Sequence, residues 1–149
     1  LSLNHYKRIF SYKEKTKIHG DLTLENIFLQ DEKVFFIDWE FFNSKKKLWG
    51  YDAVYLVLSS IAIPFLVKKS FSNKDKDLFL KLWKMLLKMP INPIIINDPF
   101  NYFKKAIISD NFLKKSSKIS KKKFFPLITP LYFQKQINDL ITKGNLWKS

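Results

Sequence analysis

Two polar segments joined by a predicted β-hairpin place the strongest constraint on how this chain folds. The first, His-Gly-Asp-Leu-Thr-Leu-Glu-Asn, occupies residues 19–26, and the second, Ile-Asp-Trp-Glu, occupies residues 37–40. Between them, the apolar and aromatic runs 27–30 and 34–37 flank the polar residues 31–33, which is the pattern of two strands around a turn. Because the strands of a hairpin are antiparallel, both polar segments are expected to meet at one end of it.

The remainder of the chain predicts helices, so the expected fold class is α+β and mainly α. Residues 51–67 are almost wholly apolar, and residues 99–112 are expected to contain another helix. Residues 75–89 form an amphipathic helix pattern with one expected core-facing stripe: Leu78, Leu82, Met85, Leu86 and Met89. A terminal helix is expected over residues 130–147, packing Leu131, Phe133, Ile137, Leu140 and Ile141.

The chain is predicted to fold as a single domain, residues 1–149. Its composition, 46% hydrophobic and 17% aromatic, suffices for one core, and neither an internal repeat nor a linker divides it. Residues 1–17 are interpreted as the end of a helix and a solvated approach, and residues 43–50 as a polar loop. The chain has no Cys, which excludes disulfides and thiolate metal sites and fits a cytoplasmic location.

A membrane span is an alternative interpretation of the apolar residues 51–67. Seventeen residues is the lower length limit for crossing a bilayer. Asp52 near the start, Pro64 near the end and two serines in the middle favour a buried core helix instead. Membrane insertion is therefore the less favoured alternative.

The net charge of +14 suggests a polyanionic partner such as nucleic acid or an anionic membrane surface. Arg8 is, however, the single arginine among 27 basic residues, whereas nucleic-acid readers favour the bidentate guanidinium group. Nucleic-acid binding is therefore not expected. The Lys-rich segment 114–123 is interpreted as solvated surface, with polyanion or membrane-surface binding kept as an alternative.

The two polar segments contain the groups that phosphoryl transfer requires. This reaction needs an aligned hydroxyl, metal ions on the phosphates and neutralisation of the developing charge. The amide oxygen of Asn26 and the carboxylate of Asp38 suit Mg²⁺. Asp21 is then placed to orient an acceptor hydroxyl and take its proton. His19 is expected to support the loop through a backbone hydrogen bond, and Gly20 permits torsions that a Cβ would resist.

Residues 19–21 with Asn26, followed by residues 37–40, resemble the C-terminal lobe of the aminoglycoside phosphotransferase and choline kinase superfamily. Protein kinases usually carry Arg where Gly20 stands and Gly where Glu40 stands, so small-molecule kinases are the better match. The resemblance implies a protein-kinase-like lobe in which a catalytic loop, a short hairpin and several packed helices come together.

The resemblance also implies roles for single residues. Asp21 would be the catalytic base, Asn26 and Asp38 the Mg²⁺ ligands, and His19 a structural residue, with ATP as the phosphoryl donor. Asp52 matches the aspartate that begins a buried helix in this family and braces the catalytic loop. The implied activity is phosphorylation of a hydroxyl group on a small molecule.

The chain departs from the family at the nucleotide-binding half. Glycine occurs only at positions 20, 50 and 144, so no Gly-rich loop is present, and no upstream strand carries an assignable Lys. We therefore expect the N-terminal nucleotide-binding lobe to be absent from this chain. The chain is predicted to be a fragment of a longer enzyme or, alternatively, an inactive remnant, with little turnover by itself.

The nature of the acceptor is less constrained than the reaction. Acidic residues are few outside the two polar segments, which disfavours a polycationic aminoglycoside, and a sugar or amino alcohol is preferred. Five aromatic residues are available for a cage around an amine, although core packing is the commoner use of such residues: Trp49, Tyr55, Trp83, Tyr102 and Trp147.

Overall fold

A computed structural model describes residues 15–39, 41–42, 46–68, 72–110 and 129–145. The strands within these ranges are β1 (Lys15–Thr16), β2 (Ile27–Gln30), β3 (Lys33–Phe36) and β4 (Lys47–Leu48). The helices are α1 (Tyr51–Lys68), α2 (Asn73–Leu87), α3 (Pro93–Asn97), α4 (Pro99–Ser109) and α5 (Leu131–Asn145), and a 3₁₀ turn over Leu24–Asn26 precedes β2. The fold class is α+β and mainly helical, as the sequence predicted.

The hairpin between the two polar segments is confirmed. Strands β2 and β3 are antiparallel, with Ile27 opposite Phe36 and Gln30 opposite Lys33. The second strand begins one residue earlier than predicted, which leaves Asp31 and Glu32 as a two-residue turn with φ of 47° and 61°. Left-handed torsions at both positions define the turn type whose twist matches the twist of the strands.

A second, smaller pairing was missed by the sequence analysis. Strand β1 pairs with β4, so that Lys15 lies opposite Leu48 and Thr16 opposite Lys47. The Nζ of Lys47 is 3.1 Å from Oδ2 of Asp110 at the end of α4, and both side chains are buried. The interpretation of residues 15–16 and 47–48 as solvated or loop segments was therefore wrong, because two-residue strands carry no periodic signal. Residues 1–14 and 43–45 lie outside the described ranges.

Helix α1 forms the centre of the core. Side chains on several sides of it are buried, including Ala53, Val54, Tyr55 and Val57. Helix α2 packs along it on one side, and α3 and the 3₁₀ turn also contact it. In the described part of the chain, no helix combines the length and the apolar character that crossing a bilayer requires.

Helix α2 begins at a capping box. The backbone N–H of Asp75 donates to Oγ of Ser72 over 3.2 Å, and the Ser72 N–H donates to Oδ2 of Asp75 over 2.9 Å. These reciprocal bonds satisfy backbone donors that have no partner within a first helical turn. The helix exists as predicted and starts two residues earlier than expected.

The predicted core face of α2 is only partly correct. Leu86 and Met89 are buried, but Leu78 and Met85 are 51% and 49% exposed. The buried positions are instead Phe79 and Trp83, whose rings stack with centroids 5.4 Å apart. Burying two aromatic rings removes more apolar area from water than burying Leu78 and Met85, so the helix is turned toward the aromatic side.

The other side of α2 lines an apolar groove. This groove of about 280 Å³ lies between α1, α2 and the base of the hairpin, and its walls include Leu24, Phe36, Leu56, Leu78, Leu82 and Met85. Part of the stripe that the sequence assigned to the core, namely Leu78, Leu82 and Met85, therefore lines an open groove.

Helix α5 covers the core as predicted, with one exception. Phe133, Ile137 and Ile141 are buried at successive turns, and the Phe133 ring stacks on Phe65 of α1 at 4.3 Å. Leu131, in contrast, is 77% exposed. Leu131 lies two residues before Phe133, which is a rotation of about 200° around the helix axis, and it therefore faces away from the core.

Candidate functional site

The first turn of α1 holds the backbone of the loop segment 19–26. The carboxylate of Asp52 accepts the N–H of His19 at 2.8 Å through one oxygen and the N–H of Gly20 at 3.0 Å through the other. All three residues are buried. One side chain thus fixes two consecutive peptide groups at the start of the segment.

Gly20 adopts a backbone conformation that a side chain would resist. Its φ is +94°, and a Cβ built at this position would lie 2.7 Å from Cβ of the buried Phe41. The close approach of the two backbones therefore requires glycine. Phe41 was not identified from the sequence, because nothing in the pattern around residue 40 marks it as the neighbour of Gly20.

Burial changes the ionisation of Asp52. Desolvation raises its pKa to about 7, although the backbone N–H donors of Gly20 and His19 act in the opposite direction. The native carboxyl group therefore binds its proton more tightly than the same group in the unfolded chain, whose pKa is near 3.9.

We expect the Asp52 contribution to stability to be greatest below about pH 4 and to be lost as the pH rises toward about 7. The native state binds more protons than the unfolded state in this window, so deprotonation favours unfolding. The upper limit of the effect is on the order of 4 kcal/mol. Urea unfolding at a series of pH values checks this, with Asp52→Asn as the reference that cannot titrate. Parallel pH profiles for both proteins would contradict it.

His19 and Asn26 both bond to Ile37, the residue before Asp38. The Nε2 of His19 lies 2.7 Å from the Ile37 carbonyl oxygen, so this ring nitrogen carries the proton and donates it. The backbone N–H of Ile37 donates to the carbonyl of Asn26 at 3.0 Å. The ring of Trp39 lies against His19, with centroids 4.8 Å apart. These contacts join the two polar segments directly.

The side chain of Asn26 is fixed by the same segment. Its Nδ2 donates to the backbone carbonyl of Asp21 at 2.8 Å, and the residue is 9% exposed. Because the amide nitrogen is used in this bond, the amide oxygen is directed away from the Asp21 carbonyl. Asn26 therefore presents an oxygen acceptor whose orientation is set within the loop.

Asp38 is exposed and has a left-handed backbone, with φ of +57°. This conformation is uncommon for non-glycine residues and is often found at functional sites. Among the described residues, no three His, Asp or Glu side chains form a group that could hold a metal ion. The ligands that the sequence predicted for Mg²⁺, the Asp38 carboxylate and the Asn26 amide oxygen, are hard oxygen donors.

Asp21 has a partner that the sequence analysis did not assign. Its Oδ1 accepts a hydrogen bond from the hydroxyl of Tyr55, at 2.8 Å. Tyr55 lies on α1, one helical turn after Asp52. The spacing of three residues on a predicted helix was the available signal, since it places both side chains toward the same segment.

The aromatic cage considered for an amine ligand is not supported by burial. Trp49, Tyr55 and Trp83 are at most 3% exposed and belong to the core. Tyr102 is half-buried on α4, and Trp147 lies outside the described residues. Glu40 and the Lys-rich segment 114–123 also lie outside them.

Comparison of the chain with protein-family models, with curated proteins and with solved structures finds no match. The case for a functional site therefore rests on the geometry of these residues. The structure gathers the loop residues 19–26 around the start of α1 and the residues just after β3. The side chain of Asp21, the amide of Asn26 and the residue Asp38 all belong to this arrangement.

Proposed function

We propose that this chain carries the catalytic loop of an ATP-dependent phosphotransferase that phosphorylates a hydroxyl of a small molecule. We also propose that the described residues belong to a protein-kinase-like C-terminal lobe. The observation that supports it best is the bonding around Ile37, which joins the loop of Asp21 and Asn26 to the strand end that bears Asp38.

In this proposal Asp21 is the general base. Its carboxylate is partly exposed, so an acceptor hydroxyl has access to it, and it orients that hydroxyl and takes its proton during transfer. Asn26 and Asp38 hold Mg²⁺, which when bound neutralises charge on the phosphates. His19 and Asp52 act on the loop backbone and do not take part in proton transfer.

The outer face of the hairpin offers a place for the nucleotide-binding half of the enzyme. Phe28 and Phe35 lie opposite each other on one face of the hairpin and are 60% and 46% exposed. Such a pair is apolar surface next to the proposed metal ligands. We propose that a nucleotide-binding lobe, which the proposed function requires, covers it.

Metal binding tests the proposed site without requiring turnover. In the presence of ATP, Mn²⁺ is expected to broaden amide NMR signals around Asn26 and Asp38 because of its unpaired electrons. Asp38→Asn should weaken Mn²⁺ binding by roughly tenfold or more, since the amide has no charge to attract the cation. Asp77→Asn, an exposed carboxylate on α2, is the matched control. Equal Mn²⁺ binding by the Asp38 variant, or broadening confined to other residues, would sink the proposed site.

A further inference from the structure

Two side chains of α1 hold three consecutive residues of the loop. Asp52 accepts the backbone N–H groups of His19 and Gly20, and Tyr55, three positions later, donates to the carboxylate of Asp21. The backbone of the loop and the side chain of the proposed base are thus attached to one rigid helix. A helix is a more precise support for a reacting group than a loop.

The position of the Tyr55 ring is itself fixed by its neighbours. Tyr55 is 1% exposed, and its ring stacks nearly parallel to Tyr51, with centroids 5.9 Å apart and an interplanar angle of 8°. The ring of Phe103 on α4 meets it edge-on at 5.4 Å. The hydroxyl therefore reaches Asp21 from a ring that has little room to move.

The Tyr55 hydroxyl is also a permanent donor. Burial, followed by the nearby charge of Asp21, raises the pKa of Tyr55 well above its ordinary value. The phenol consequently keeps its proton at neutral pH and remains a hydrogen-bond donor to Asp21.

We propose that Tyr55 is a positioning residue for phosphoryl transfer, fixing the orientation of the Asp21 carboxylate. This inference depends on the proposed function, in which Asp21 is the general base. Under this inference, Tyr55 on α1 holds the general base in position, which the loop segment 19–26 does not do by itself.

The substitution Tyr55→Phe, made in the full-length protein, tests this inference. It removes the hydroxyl and keeps the ring. We expect kcat to fall by roughly 10- to 100-fold because the base is no longer held in position, with little change in KM.

Tyr51→Phe is the matched control. Its ring is equally buried, and its hydroxyl has no hydrogen-bond partner in the described part of the chain. This variant should keep the kcat and the KM of the wild type. If both variants lose activity to the same extent, Tyr55 has only a packing role and the inference is wrong.

A measurement on the carboxyl group itself separates this inference from the proposed function. At one neutral pH, the ¹³C chemical shift of the Asp21 carboxyl group should differ between Tyr55→Phe and wild type, because the hydrogen bond from Tyr55 is lost, and should be unchanged in Tyr51→Phe. An unchanged shift in Tyr55→Phe would refute the role of Tyr55, whatever the activity. If Asp21→Asn leaves turnover intact, the proposed function fails. If Asp21→Asn abolishes turnover while Tyr55→Phe leaves kcat unchanged, the positioning role alone fails.

Discussion

Under the proposed function, replacing Asp21 with asparagine in the complete enzyme is expected to lower phosphoryl transfer by about three orders of magnitude. Asparagine has nearly the same shape, and its amide oxygen still accepts the hydrogen bond that Tyr55 donates over 2.8 Å in the wild type. It has no basic oxygen to take the proton of an acceptor hydroxyl. The loss should therefore appear in kcat at nearly unchanged stability, measured by steady-state kinetics and thermal unfolding of the same samples.

Asp31→Asn provides the control for this prediction. Asp31 is an exposed residue in the hairpin turn, where its φ of 47° is well tolerated by asparagine. The same chemical change at this site should leave turnover within about twofold of wild type, since Asp31 has no part in the proposed general-base step. Wild-type turnover in Asp21→Asn would remove the mechanism proposed for this chain.

Replacing Gly20 with alanine is expected to destabilise the fold by roughly 2 to 5 kcal/mol, the combined effect of left-handed strain and a steric clash. The new methyl group would sit 2.7 Å from Cβ of Phe41, a side chain that is fully buried. The backbone cannot move away easily, since the Gly20 N–H is bonded to Asp52 at 3.0 Å. Chemical denaturation of the variant measures the loss.

Two further substitutions test the cause of that loss. Phe41→Ala keeps the Cβ atom that causes the clash, so it should not restore the stability of Gly20→Ala. Lys81→Ala, on the exposed side of α2, is the control and should change stability by less than about 0.5 kcal/mol. A Gly20→Ala variant as stable as wild type would show that the two backbones are farther apart than described.

The elements with strong local signals were predictable from the sequence, whereas the contacts between distant segments were not. The hairpin, α1 and α2 follow from runs of apolar residues with clear boundaries. The choice of the Phe79 and Trp83 side of α2 over the Leu78 side was missed, since periodicity alone admits both stripes. It depends on which side chains find neighbours in three dimensions.

The candidate site shows the same division. Residues 19, 20, 21, 26 and 38 were identified as a group because they are close in sequence and chemically suited to one reaction. Tyr55 was missed as the partner of Asp21, because its aromatic ring is also a good core residue and 34 positions separate the two. Phe41 was missed because a close backbone approach leaves no trace in residue type.

The apolar groove between α1, α2 and the hairpin affects how copies of this chain behave toward one another. Its rim exposes Leu78 and Met85, which in a neutral protein would attract a similar surface on another molecule. The net charge of +14 opposes such encounters through long-range repulsion. Salt screens this repulsion and leaves the groove apolar. The excess of lysine is therefore expected to oppose self-association of the protein at low ionic strength and to oppose it less as salt is added.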